Sequence, residues 1–385
     1  MGRPRKLVAK KLFSDEELAQ RRGTWVEESD INYPIIDSNT DVYRLDDNGN
    51  EILLLKFRKN CIDDKCVQIG WDSYKNLAKA SRGRGASAGP VDPDSAYWKK
   101  RNLVKTSKWS TGYLNPKGNI LKEEYDKLSF GELQVKAIES NCKLFDTKEE
   151  VMMEIIKKQN GISKMKVNNQ VASNPIGFYE KNKNLGTDLP CRLTHFTRTN
   201  FDKYNEGLPF LQKIDSLFQK LIPDSHQLQL LRADQKPHLK IPGTCFSTVT
   251  INRNFRTALH QDAGDFKEGF GNLTVIEQGK YHGGYTVFPQ YGVAINLRNN
   301  DFCAMDVHQW HANTPLYETE EDKQFNETIE SDFKDNSKVG TAGLYQKYTR
   351  ISFVCYLREK IAKCPNVEEI DPRFLTKSGH SKIKD

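Results

Sequence analysis

The sequence has no run of about 18 apolar residues, so it offers no helix able to cross a bilayer. Its basic start, "MGRPRKLVAKKLFSDEE", lacks the roughly 7–15-residue apolar segment of a secretory signal. Cysteine is sparse: of eight, just Cys61 and Cys66 stand close, in "CIDDKC", with no second pair or histidine couple to complete a zinc pattern. Cys303 and Cys355 fall in strand-like apolar runs, where a small buried thiol is the ordinary reading. These absences exclude an integral membrane protein and argue against a zinc site. They predict an intracellular protein, nuclear if its source is a eukaryote.

What the chain does hold is enough for one large or two modest domains: 385 residues, 37% hydrophobic and 10% aromatic. The net charge of +7 is unevenly spread. Residues 79 to 120 carry nine lysines and arginines against two aspartates, Asp92 and Asp94, with Tyr97, Trp98, Trp109 and Tyr113 among them. A basic surface with interleaved aromatics can hold phosphates and stack on bases. Lys99, Lys100 and Arg101 are therefore candidate contacts to a nucleic-acid backbone, against the plainer reading of a solvated basic face.

The texture changes along the chain. Residues 1–30 are polar and charge-rich and read as a basic, disordered tail. Residues 31–185 form a basic and helical region, the candidate nucleic-acid surface, with a strand at "EILLLKFRKN" and two short helices between Leu128 and Lys158. "LPFLQKIDSLFQKLIPD" (208–224) places Leu208, Leu211, Ile214, Leu217, Phe218 and Leu221 on one helical stripe, which Pro223 stops. From Thr244 to Glu359 short alternating strands follow one another with Gly, Asn and Asp at the turns, and "LRNNDF" (297–302) reads as a tight hairpin. The fold class expected is α+β: a jelly-roll core over 186–365 with flanking helices, an N-terminal basic extension, and a polar tail at 366–385. Inside the core, "YETEEDKQFNETIESDFKD" (317–335) has eight acids and few apolar residues and reads as an exposed acidic insertion.

Within that core, "FRTALHQDAGDF" sets His260 and Asp262 two residues apart, on one face of an extended chain. "DVHQWHANTP" adds His308 and His311 as alternative third ligands. Two histidines and a carboxylate make the facial triad of non-haem Fe(II), which leaves positions open for oxygen and a chelating co-substrate. The last strand, "YTRISFVCYL", supplies Arg350 with Ser352 on the same face. A guanidinium fork there would bind the far carboxylate of 2-oxoglutarate through two parallel hydrogen bonds.

The stretches "TVTINRNFRTALHQDAGDFKEGFGNLTVIE", "GGYTVFPQYGVAINLRNNDFCAMDVHQWHANTP" and "TRISFVCYL" resemble the TET/JBP family of 2-oxoglutarate/Fe(II)-dependent, nucleic-acid-modifying dioxygenases. Their wording is nearest the J-binding-protein thymidine-hydroxylase branch, and the likeness covers roughly 190–360. It implies a double-stranded β-helix, selects His311 over His308 as the metal ligand, and makes Fe(II) the metal with 2-oxoglutarate and O2 as co-substrates. It implies DNA as partner, with RNA not excluded, and hydroxylation of the 5-methyl group of a flipped pyrimidine, thymine or 5-methylcytosine. Asp265, three beyond the metal-binding aspartate, then contacts the base. Arg256, on the face shared with His260, is expected to point toward the iron and hold the co-substrate's C1 carboxylate or a DNA phosphate. The competing readings are a prolyl-type protein hydroxylase and a catalytically silent nucleic-acid-binding jelly roll.

Overall fold

In "TRISFVCY" the apolar Ile351, Phe353 and Cys355 fall at alternate positions with Arg350 before and Ser352 between them, and the stretch builds a strand, Thr349–Tyr356, with two working faces. A computed structural model describes residues 3–79, 84–91, 103–107, 110–165, 171–184, 187–330, 347–371 and 374–375. In it this strand lies within a nine-stranded sheet. The order across the sheet is Arg5–Ala9, Thr40–Leu45, Glu51–Arg58, Phe302–Met305, Gly271–Gln278, Thr349–Tyr356, Thr248–Arg253, Ser173–Tyr179 and Arg192–Leu193. The first pair is parallel and every later neighbour antiparallel.

Residues directly opposite one another on paired strands share a face. Ser352 stands opposite Asn252 and Val275, and Val354 opposite Thr250 and Leu273, so these side chains line one side of the sheet. That side packs Leu273, Val275, Cys303 and Met305 against Phe288, Val293 and Ile295 of a second, three-stranded sheet, Val293–Ile295, Thr286–Phe288 and Ala312–Asn313. The other side is mainly apolar, with Asn272, Thr274 and Arg253 among its buried residues. Ile251, Ile276, Ile351 and Phe353 pack against Trp71, Tyr74, Phe210 and Phe218 of the helices Asp64–Tyr74 and Leu208–Leu221. Phe210 meets Phe353 edge-on with ring centroids 4.9 Å apart. The structure is thus a mixed α+β arrangement, helices on one face of a large sheet and a small sheet on the other.

Four expectations are corrected. The expected disordered tail over 1–30 does not hold for its described residues: Arg5–Ala9 is an edge strand, and Asp15–Arg21 a helix started by a Ser14/Glu17 capping box. Leu18 and Val26 pack beside Leu259, Trp310 and Ala312, and Asp15 Oδ1 accepts from Trp310 Nε1 at 3.1 Å. Few apolar residues suffice when each docks on a preformed core, which composition averages conceal. Second, the 31–185 region is not separate from the core, because Thr40–Leu45, Glu51–Arg58 and Ser173–Tyr179 are strands of the main sheet. Among the described residues of this region, only the hairpin Leu103–Ser107 and Ser110–Leu114, the helices Pro116–Tyr125, Phe130–Glu139 and Lys148–Lys158, and the strand Ile162–Met165 share a cluster of their own around Leu133 and Ile155. Third, "LRNNDF" turns tightly but is no hairpin, since the strands on either side of it lie in different sheets. Fourth, the acidic segment is not wholly an exposed insertion. Glu320–Glu327 is a capped helix that docks through buried Asn326, whose amide both donates to Lys280 O at 2.8 Å and accepts from Lys280 N at 2.7 Å; residues 331–335 lie outside the described ones.

Cys191 and Cys364, 173 residues apart, form a disulfide that ties the edge strand Arg192–Leu193 to the chain after the closing strand. Ile370, inside the stretch 366–385 expected as a polar tail, is buried beside that bridge. Pro223 ends one helix and opens the next, Pro223–Ala233, where its missing N–H costs nothing. Among the described residues no helix is long and apolar enough to cross a membrane.

Gly177, inside the strand Ser173–Tyr179, has φ +91°, and a Cβ there would stand 2.3 Å from Ser247 O. Both the backbone angle and the close approach demand glycine. Gly177→Ala is expected to cost about 2 kcal/mol or more, read as a lowered urea midpoint with unchanged slope.

Candidate metal centre and its cavity

The segment from Phe255 to His260 leaves the sheet and crosses toward the small one. His260 and His311 then meet in an isolated antiparallel bridge, each backbone N–H donating to the other's carbonyl at 3.0 Å, and Asp262 N donates to Val307 O at 3.0 Å. This pairing brings His311 to His260 and Asp262, 51 and 49 residues before it in the chain. His260 Nε2 lies 3.6 Å from Asp262 Oδ1, and His311 Nε2 lies 3.7 Å from Asp262 Oδ2. The three ligand atoms are within 4.8 Å of one another.

Each imidazole is held through its other nitrogen. His260 Nδ1 donates to Ala258 O at 2.7 Å and His311 Nδ1 to Gln309 O at 2.9 Å. A carbonyl can only accept, so each Nδ1 carries the proton and each Nε2 keeps a lone pair for a metal. Burial, and then the neighbouring His260, brings His311 down to about 4. It is neutral at pH 7, as a metal ligand must be. The rival His308 turns its ring Nε2 toward Phe266 O at 3.3 Å and does not line the cavity.

The cavity beside the triad runs along the inward face of the closing strand, where Arg350, Ser352, Val354 and Tyr356 follow one another. Arg350 is 4% exposed, and its Nε is buried with no hydrogen-bond partner among the described residues. Burial draws its guanidinium down to about 10 against the opposing pull of Glu277, which stands opposite it on the next strand. Asn254 clamps the backbone here, its N–H donating to Arg350 O at 2.8 Å and its Oδ1 accepting from Arg350 N at 2.7 Å. Ser352 Oγ accepts from Asn252 Nδ2 at 3.3 Å. An unused, shielded cationic donor is costly, and a carboxylate entering the cavity would relieve it. The donor set His260, Asp262 and His311, with this orphaned nitrogen further along the same cavity, fits Fe(II) and 2-oxoglutarate.

Arg256 is corrected. Its guanidinium faces away from the cavity, donating from Nη2 to Val26 O at 2.6 Å and to Glu27 Oε1 at 2.7 Å, and lying over the Trp25 ring at 4.8 Å. The run from Phe255 to Leu259 is not a paired strand, so a two-residue period does not carry from Arg256 to His260; Thr257 lines the cavity instead. Asp265 does line it, and its Oδ2 is buried and unpartnered among the described residues. Burial, and then the charge of Asp262, push its carboxyl well above the usual range. Lys99, Lys100 and Arg101 lie outside the described residues.

Sequence reasoning missed Asn252, Thr286, Tyr356 and Arg84 on the cavity wall. A signal for Asn252 was present, since "TVTINRN" puts Thr248, Thr250, Asn252 and Asn254 at alternate positions of a strand whose other side carries Val249 and Ile251 before Arg253. It also missed a second buried group, Asp215, His226 and Cys245, behind the sheet. There Asp215 accepts from Cys245 N at 2.7 Å and pairs with His226 Nε2 at 3.1 Å, so the cluster is satisfied by its own hydrogen bonds.

Comparison with known proteins agrees with this geometry. Residues 174–359 match the Tet_JBP model, an oxygenase domain of the 2OGFeDO superfamily. The bifunctional helicase and thymine dioxygenase JBP2 of Leishmania braziliensis is 33% identical over 183 residues, 48% of this chain and 14% of that one. Thymine dioxygenase JBP1 of Trypanosoma brucei brucei is 31% identical over 199 residues, 52% of this chain and 21% of that one. The chain thus spans about a seventh to a fifth of the length of these curated relatives. The solved structure of NgTET1 in complex with 5mC DNA aligns over 96% of this chain at 9% identity, with a TM-score of 0.43, too loose a likeness to carry an argument.

Proposed function

We propose, on the premise that residues 174–359 belong to the Tet/JBP family of oxygenase domains, that the protein hydroxylates the 5-methyl group of a pyrimidine in DNA, thymine foremost. The observation that carries this is one cavity holding both the His260–Asp262–His311 group and, further along the closing strand, Arg350 with its unused Nε. The naming of JBP1 and JBP2 as thymine dioxygenases supports thymine as the base. The two facing sheets support the double-stranded β-helix reading of the core.

His260, Asp262 and His311 hold Fe(II). Bound Fe(II) with 2-oxoglutarate and O2 supplies the oxidation, one oxygen atom going to the methyl group as hydroxyl and the other to succinate, with carbon dioxide released. Arg350 takes the far carboxylate of 2-oxoglutarate with its fork, and Ser352 adds a hydroxyl donor. Leu273, Met305 and Val354 form an apolar wall that keeps water from the reacting methyl. A 5-methyl group inside a duplex is out of reach, so the base is flipped into the cavity at a cost of a few kcal/mol. Asp265 contacts the flipped base, and Lys99, Lys100 and Arg101 offset the cost by holding phosphates.

The test is anaerobic loading with Fe(II) and 2-oxoglutarate, then admission of oxygen in the presence of thymine-containing or 5-methylcytosine-containing DNA. Nucleoside mass spectrometry is expected to find 5-hydroxymethyluracil, with succinate in matching amount. Succinate without a DNA product, and with a proline-containing peptide hydroxylated instead, would favour the protein-hydroxylase reading.

A further inference from the structure

Arg84 enters the cavity from a part of the chain remote in sequence from the triad. The short turn Gly85–Ala88 holds it there: Ser87 Oγ donates to Arg84 O at 2.7 Å, and Ala258 N, two residues before His260, donates to Ser87 O at 2.9 Å. The side chain itself is poorly used. Its Nη1 reaches Thr250 Oγ1 at 3.4 Å, long for a hydrogen bond, and its Nε is buried without a partner among the described residues. Asp265 Oδ2 on the same wall is in the same condition.

Position separates this pair from the co-substrate anchor. Thr250 stands opposite Val354, and Thr250 Oγ1 lies 3.2 Å from the Tyr356 hydroxyl. At about 6.8 Å for every second residue of a strand, Val354 and Tyr356 are about 14 and 20 Å from Arg350 along the cavity wall. A five-carbon diacid anchored at Arg350 and chelating at the triad does not extend to that end. What remains there is a donor-only guanidinium and, lining the same cavity, the carboxyl of Asp265, each with an atom shielded from water and unpaired among the described residues.

We propose that Arg84 is a specificity-determining residue that reads the substrate base, donating to a carbonyl oxygen or ring nitrogen on its hydrogen-bonding edge while the adjacent N–H of that edge goes to Asp265. A pyrimidine presents such neighbouring acceptor and donor atoms, O4 or O2 beside N3–H in thymine, N3 beside the amino group in cytosine. The proposal rests on the reading of the cavity as a DNA-base site. It gives the N-terminal region a second role besides phosphate contact, because Arg84 completes the base pocket from outside the matched oxygenase segment.

The experiment compares the full chain and Arg84→Gln, loaded anaerobically with Fe(II) and 2-oxoglutarate. The ligands are a G·C duplex with one central thymine and the same duplex with an abasic residue in its place, followed by fluorescence anisotropy. The wild type is expected to bind the thymine duplex more tightly than the abasic one. Arg84→Gln is expected to lose roughly tenfold on the thymine duplex and less than about twofold on the abasic one, with 2-oxoglutarate affinity kept. Equal losses on both duplexes would make Arg84 a phosphate contact, and weakened 2-oxoglutarate binding with DNA binding intact would make it a co-substrate anchor. Either outcome, or no loss at all, overturns the proposal while the DNA-oxygenase reading stands. A wild type that neither prefers thymine nor releases succinate with DNA overturns both.

Discussion

Replacing Asp262 with alanine is expected to stop 2-oxoglutarate turnover while DNA binding stays within about twofold of the wild type. Outer partners of a metal ligand are worth about 10–100-fold in affinity or activity, so removal of a ligand that faces both imidazoles, at 3.6 and 3.7 Å, should exceed that range. The two histidines would remain held by their Nδ1 hydrogen bonds to Ala258 and Gln309, because neither bond involves Asp262. The substitution therefore removes a ligand without dismantling the site. Succinate release checks the first expectation, and anisotropy on a thymine duplex the second. Turnover at the wild-type rate in Asp262→Ala would remove the iron assignment altogether. His308→Ala serves as the control: its ring turns to Phe266 O, away from the cavity, and it should leave turnover unchanged.

The second large effect is expected at Arg350. Truncating one partner of a buried charge pair costs about 2–5 kcal/mol, so Arg350→Met should raise the KM for 2-oxoglutarate by about 30-fold or more. Arg350→Lys keeps the charge but not the planar fork and should recover only part of the loss. A 2-oxo acid with no far carboxylate tests the contact directly. Wild type and Arg350→Met should bind such an acid equally weakly, since nothing remains for the guanidinium to hold. A difference between them on that ligand would mean that Arg350 acts on something else. Because Glu277 loses a neighbouring charge in the Met variant, a thermal unfolding curve should accompany the kinetics.

Much of the site was legible because it is built from local patterns. His260 and Asp262 are two residues apart, Arg350 and Ser352 share a strand face, and a facial triad needs only one more imidazole. The helix Leu208–Leu221 and the pair Phe130–Glu139 and Lys148–Lys158 were likewise visible in their 3.6-residue apolar period. Arg256 failed for a local reason too: the period-two argument holds only on a paired strand, and the chain from Phe255 to Leu259 is not one.

The amino-acid sequence by itself determined the chemistry at the core: which residue types were available, in what order, and on which strands. The proposed triad and arginine anchor are legible there because each depends on the identity of a few side chains and on short-range geometry. Only the tertiary structure decided which distant segments complete the cavity. The choice of His311 by geometry comes from its backbone bridge to His260, and Arg84 arrives through the contact of Ser87 O with Ala258 N. The Asp15–Arg21 helix braces Trp310, next to His311, from far earlier in the chain. Such contacts form between residues 51 to 295 positions apart, and what selects them is burial against surfaces that exist only once the sheets have assembled.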